Sequence, residues 1–321
     1  EGVKSFMPNG FTGVMSAVAG VFFAYIGFDA LSVLSEETKN PEKTLPKGMI
    51  ISLVLSTAIY IVLTLVLTGI VDYRKFEGIG DPLSFIFAPQ NANIPWMEFV
   101  VSVTAIVAIT TVLLVFQMGQ PRIWMSMSRD GLMPKKFAEI HPKYKTPSFA
   151  TIITGVAVGL PILFTDKTFI LDFTSIGTIF AFVLVNGGIL LMPQKEKLKG
   201  RFHLPYINAK YIFPVFFIGG LVGFYFWQPE FFHNLWNITD EHEGEFRLSI
   251  IIFLIINLAL VVLSYLKNLS LIPLLGLTSC LYLLTGMTHN NWFWFGLWFI
   301  IGLGIYFFYG KKNSKLNPEN M

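Results

Sequence analysis

A chain of 321 residues that is 54% hydrophobic and 13% charged lies outside soluble composition, where about a quarter of residues are charged. Its mean hydropathy of +0.62 and its repeated apolar runs identify a polytopic membrane protein, since a spanning helix takes roughly 20 such residues. The net charge of +3 is unevenly spread along the chain, so it reports topology and implies no nucleic-acid partner.

The runs predict helices near 11–35, 48–71, 96–120, 149–165, 169–192, 211–227, 249–266, 270–288 and 291–309. Their continuous apolar character excludes a β-barrel, whose strands alternate over about 10 residues. The first helix carries Gly13, Gly20 and Gly27, with Asp29 in its middle or inner half. Glycine eases unwinding, and unwound carbonyls beside a cavity can accept bonds from a ligand's ammonium group. Small residues also serve close helix packing. An intramembrane acid costs about 2.5–3.5 kcal/mol to insert and is usually kept for a role. Asp29 therefore either caps a broken helix, bonds a nearby hydroxyl or meets a ligand.

Next, "SEETKNPEKTLPKGM" (35–49) reads as a turn-rich loop in which Asn40-Pro41 and Pro46 stop the first helix. Glu36, Glu37, Lys39 and Lys43 form a solvated charge cluster there. Thr110 and Thr111 stand as a hydroxyl pair in "AIVAITTVLLVF", each also able to bond its own i−4 carbonyl. Farther on, residues 120–147 are basic, "TDEHEGE" (239–245) is acidic, and Cys280 lies in an apolar span without a disulfide partner. Asn237-Ile238-Thr239 fits a glycosylation acceptor.

If the first helix runs from outside to inside, the inner loops and tail hold 18 of the 23 lysines and arginines. Only Lys4, Arg74, Lys75, Lys167 and Arg247 remain outside, and the acidic segment also falls there. The C-terminus is then cytoplasmic, in a plasma or inner membrane. The opening "EGVKSFMPNG" has no initiator methionine and reads as an outer loop from which preceding helices are missing. There is no HExxH, Walker-type loop, CxxC or GxSxG, so the expectation is no enzyme, no cofactor and no metal site. All five histidines fall in loops or at helix ends, which disfavours a buried proton relay.

Three blocks carry a resemblance. "FFAYIGFDALSVLSEETKNPEKTLPKGM" (22–49) resembles the sixth helix and following loop of the amino acid–polyamine–organocation superfamily, in its cationic amino acid transporter branch. "QPRIWMSMSRDGLMPKKFAEIHPKYKTP" (120–147) is similar to the end of that family's eighth helix, and "DFTSIGTIFAFVLVNGGILL" (172–191) to its tenth. Residues 270–310 look like the final helix pair, and 211–266 match the longer, fourteen-helix members.

The resemblance implies an all-α, LeuT-like fold of two inverted five-helix repeats with substrate held between broken helices. Residues 1–192 would form the second repeat, 193–210 a cytoplasmic loop, 211–310 about four peripheral helices and 311–321 a cytoplasmic tail. Helices one to five would be missing partners from the same protein, beside the amino acid substrate and the lipid bilayer. By the same likeness, carbonyls of Phe23, Ala24 and Ile26 accept the substrate's α-amino group, and Gly27 permits the break. The Phe23 ring either closes over the substrate or packs against neighbouring helices. Thr110 and Thr111 match hydroxyls that ligate sodium in coupled relatives; in this branch a fifth-helix lysine usually replaces the ion, which implies proton coupling. Phe116 stands where relatives accepting arginine and lysine carry a small polar residue, so neutral amino acids are favoured over cationic ones. Arg122, Arg129 and Asp130 are either cytoplasmic gate contacts or part of a positively charged anchoring loop. The function implied is secondary amino-acid transport by alternating access, proton-coupled or by exchange. An amino-acid sensor and a non-functional fragment are the alternatives, and polar residues confined to one break disfavour a channel.

Overall fold

The computed structural model describes residues 8, 10–33, 35, 38–192, 205–227, 229, 232 and 241–315. Glu36, Glu37, the acceptor at Asn237 and most of the loop over 193–210 lie outside them. The described chain is mostly helical, and its sole β pairing among described residues is a bridge between Asn208 and Ser270. In order come α1 (Gly10–Phe22), α2 (Ala30–Val33), α3 (Pro41–Ile70), α4 (Pro95–Arg129) and α5 (Ser148–Ile162). They are followed by α6 (Lys167–Leu191), α7 (Ala209–Trp227), α8 (Glu241–Lys267), α9 (Leu271–Thr285) and α10 (His289–Ile305).

Six of the described helices are long and apolar enough to cross a membrane: α3, α4, α6, α7, α8 and α10. The apolar helices at Gly20–Val33, Ser148–Ile162 and Leu271–Thr285 are shorter. The two of 15 residues each reach only about 22 Å at 1.5 Å per residue, less than the bilayer core. The spans expected at 149–165 and 270–288 are thus longer than the helices that form.

Prolines account for other displaced ends. Helix α3 begins at Pro41, not near 48, because Pro at the first helical position loses only an N–H that would be unpaired anyway. Asn40 precedes it in a left-handed conformation, with φ 53°. Pro46 lies inside the helix and does not stop it. Likewise α4 continues through the buried Pro121 to Arg129, beyond the end expected at 120. The acidic segment becomes helical from Glu241 onward, so part of the expected outer loop is the start of α8.

The chain divides into two compact units, and the first boundary falls at Ile26 and Gly27, inside the first span. One unit comprises 1–26 and 164–304. Its core joins Ile176 and Ile179 of α6 to Cys280 and Leu284 of α9 and Phe295 of α10. Helices α6 and α9 approach closely at Gly276, where an added Cβ would lie 2.7 Å from Asn186 Oδ1. A second cluster unites Ala209 and Phe213 of α7 with Val261 of α8 and Leu274 of α9. The fully buried Asn257 is satisfied there: its amide donates to the Phe253 carbonyl and its Oδ1 accepts from Thr278.

The other unit comprises 27–163 and 305–321. Gln117 Nε2 donates to the Thr151 carbonyl at 3.1 Å, tying α4 to α5. Edge-to-face contacts from Trp124 to Phe137 and from Phe137 to Phe149, at 5.2 and 5.1 Å, fasten the loop after α4.

Candidate functional site

Helix α1 ends at Phe22, and the chain does not resume α-helical form until Ala30. Phe23–Tyr25 make a 3₁₀ turn whose Phe23 carbonyl accepts the Ile26 N–H at 3.1 Å. Ile26 is then extended, with ψ 130°, and Gly27 takes φ 126°. That φ is open to glycine and strained for any residue with a Cβ, which explains the residue at this point. The Ile26 carbonyl accepts no hydrogen bond from any described residue.

Asp29 sits among these interrupted bonds. Its Oδ1 accepts the Gly27 N–H at 3.1 Å, satisfying a donor that the missing helical turn would leave open. The Asp29 carbonyl accepts both the N–H and the hydroxyl of Ser32, and Ala30 N–H donates to the Gly27 carbonyl. The carboxylate therefore acts as a local cap that fixes the shape of the break.

From α4, the Phe116 ring reaches this point: its Cζ lies 3.9 Å from where a Cβ on Gly27 would stand. Phe116 remains 44% exposed and Phe23 37% exposed, so both rings have room beside them. Thr110 and Thr111 donate to the Ile106 and Val107 carbonyls at 2.8 and 2.9 Å. Their protons are committed to the helix, while the oxygen lone pairs stay available.

Arg129 and Asp130 fall elsewhere, at the far end of α4. They line a cavity of about 440 Å³ together with Ser32, Arg122, Lys145 and Thr146. Three cations and one carboxylate make it polar and positive.

Two features here were missed from sequence. Gln117, the polar neighbour of Phe116 in an apolar run, is the visible signal for the α4–α5 tie. "SRDGL" is the signal for a helix stop. Leu132 N–H bonds the Met127 carbonyl and Gly131 N–H bonds the Ser128 carbonyl, with Gly131 left-handed at φ 82°. This is a Schellman motif, and it ends α4 beside the cavity.

Comparison with known proteins places the chain in a family. The family model described as amino acid permease matches residues 2–239, and that for the C-terminus of these permeases matches 269–314. The branched-chain amino acid permease BcaP of Bacillus subtilis (strain 168) is 33% identical over 315 residues, covering 98% of this chain and 54% of its own length. The methylthioribose transporter of the same organism is 31% identical, covering 97% of this chain and 54% of its own. The vacuolar cationic amino acid transporter 4 of Arabidopsis thaliana is 35% identical over 189 residues, 59% of this chain and 31% of its own length. The chain thus spans about half the length of the first two relatives. It belongs to the amino acid permease family, within the amino acid–polyamine–organocation superfamily.

Proposed function

We propose that this chain forms the second half of a secondary amino-acid transporter working by alternating access. The observation that carries the reading is the interrupted first span, where the Ile26 carbonyl accepts no bond from a described residue and Gly27 turns the backbone. An ammonium group entering this break meets carbonyl oxygen that already lacks a helical partner, so no helix has to be broken to bind it. Carbonyls of Phe23, Ala24 and Ile26 are assigned to the substrate's α-amino group, with the Phe23 ring as its cover. Thr110 and Thr111 are assigned to a supporting or ion-binding position, and Arg129 and Asp130 to the cytoplasmic gate.

The remaining carbonyl and carboxylate contacts would come from five preceding helices, which complete a pair of inverted repeats in a LeuT-like fold. Residues 1–192 supply the second repeat, 193–210 a cytoplasmic loop, 211–310 the peripheral helices and 311–321 the tail.

Neutral side chains are the favoured cargo. Phe116 stands against Gly27, and its apolar ring offers a long cationic side chain no polar partner. The relatives include both a branched-chain amino acid permease and cationic amino acid transporters, so the preference rests on Phe116 alone. Coupling is assigned to protons or to exchange, and the C-terminus to the cytoplasm.

The test is counterflow of labelled amino acids in proteoliposomes containing the full-length protein. Saturable uptake of leucine, isoleucine or valine, exceeding that of arginine, is expected. No saturable uptake of any amino acid, with or without a pH gradient, overturns the assignment. Arginine uptake that exceeds leucine uptake overturns only the role given to Phe116.

A further inference from the structure

After α10 the chain does not trail away from the protein. A π-helical turn at Tyr306–Gly310 leads into a last helical turn at Lys311–Asn313. The Asn313 amide donates to the Tyr309 carbonyl at 3.0 Å and Ser314 N–H to the Gly310 carbonyl at 2.8 Å, so the segment is internally ordered. It lies on the Schellman motif that ends α4. Lys315 N–H donates to the Asp130 carbonyl at 3.1 Å. The Asn313 carbonyl sits so close over Gly131 that a Cβ there would overlap it. Gly310 faces Leu132, where an added Cβ would stand 3.5 Å from the carbonyl oxygen and 3.6 Å from Cδ2.

Glycine is thus present on both sides of the contact. Gly131 also holds the left-handed conformation that the helix stop needs, so two separate requirements coincide at one residue. The residues held are Asp130, Gly131 and Leu132, the first beyond α4, and Asp130 lines the polar cavity together with its neighbour Arg129.

We infer that the segment Tyr306–Lys315 is a strap that clamps the end of α4 and so controls how readily the cavity beside Arg129 and Asp130 opens. This rests on the transporter reading above, in which that cavity belongs to the gate. Any outward swing of the α4 terminus has to break the Lys315–Asp130 bond or carry the strap with it. The strap adds a barrier to gate opening that substrate binding alone does not set.

The experiment uses the full-length protein in proteoliposomes, in a background carrying Cys280→Ala. In the double variant Leu132→Cys/Gly310→Cys, a short bifunctional thiol reagent joins strap to loop. Uptake should fall severalfold after joining and stay near its starting value when either single variant is treated. Efficient joining without loss of uptake overturns the strap as a gate control, and failure to join overturns the contact itself. A second measurement is independent of transport. Gly131→Asn keeps a residue that tolerates the left-handed conformation but drives a side chain into the Asn313 carbonyl. Alkylation of a cysteine introduced by Ser314→Cys should then speed up severalfold, with the thermal unfolding midpoint little changed. An unchanged alkylation rate overturns the inference. Absence of uptake in the parent Cys280→Ala protein, with the alkylation effect intact, would instead count against the transporter reading.

Discussion

Gly27 and Asp29 do different work two residues apart. With φ at 126° and Phe116 Cζ 3.9 Å from the Cβ position, Gly27→Ala meets a conformational penalty without a steric one. Left-handed backbone costs a non-glycine residue about 1–2 kcal/mol, so uptake should drop severalfold while the expression level holds. Flux measurements alongside quantitation of folded protein by size-exclusion fluorescence check this. Asp29 gives a sharper discrimination. Because its Oδ1 caps the Gly27 N–H, Asp29→Asn retains an acceptor in the same place. Asp29→Ala leaves that part-buried donor open, at less than the about 1–3 kcal/mol of a fully buried group. Uptake should therefore rank wild type, then Asn, then Ala. Equal loss in Asn and Ala would show that the charge itself is required, as direct contact with a substrate ammonium demands. The sequence disclosed a glycine and an acid in a membrane helix, but not which served the backbone. That depends on φ and on one hydrogen bond, and no spacing rule reports either. At Phe116 the likeness to relatives supplied the position, and Phe116→Ser should widen the accepted side chains towards lysine and arginine in competition assays.

At the scale of elements, the existence of spans was legible and their ends were not. Hydropathy registers the apolar middle of a helix, whereas ends depend on caps and on where a proline falls within the first turn. Pro41 starts α3 and Pro121 passes through α4, yet both look like stops in a linear reading. Packing between elements was less legible still. Gly276 is an unremarked glycine in the sequence, although it sets the approach of α9 to α6 by leaving room for Asn186. Gly276→Val should force the Asn186 side chain off its bond to the Phe182 carbonyl and destabilise this unit by about 1–3 kcal/mol, the usual cost of overpacking. Asn186→Ala in the same chain should recover part of the loss, because it removes the atoms that Gly276→Val strikes. Thermal unfolding in detergent for the two single variants and the double variant measures the coupling. Additive losses would mean that the two helices separate there without strain.

For the molecule as a whole, the strongest signal in the sequence is the distribution of charge. The proposed orientation puts 18 of 23 basic residues on one side, and orientation follows lysine and arginine far more than net charge. It also decides the direction in which the cavity at the end of α4 opens, since Arg122, Arg129 and Lys145 line it. On the transporter reading proposed above, those three on the cytoplasmic side make the cavity the route for inward release of substrate. Two exposed positions separate the possibilities. Arg74 lies in the short turn at Tyr73–Phe76 after α3, and Lys143 lies in the loop between α4 and α5. In a Cys280→Ala background, Arg74→Cys should react with a membrane-impermeant maleimide on intact cells, and Lys143→Cys should react only after permeabilisation. Because α4 alone separates the two loops, a helix that crosses the bilayer must place them on opposite faces. Labelling of both from outside would deny that α4 spans, and the reverse pattern would invert the release route while leaving the break and its carbonyls in place.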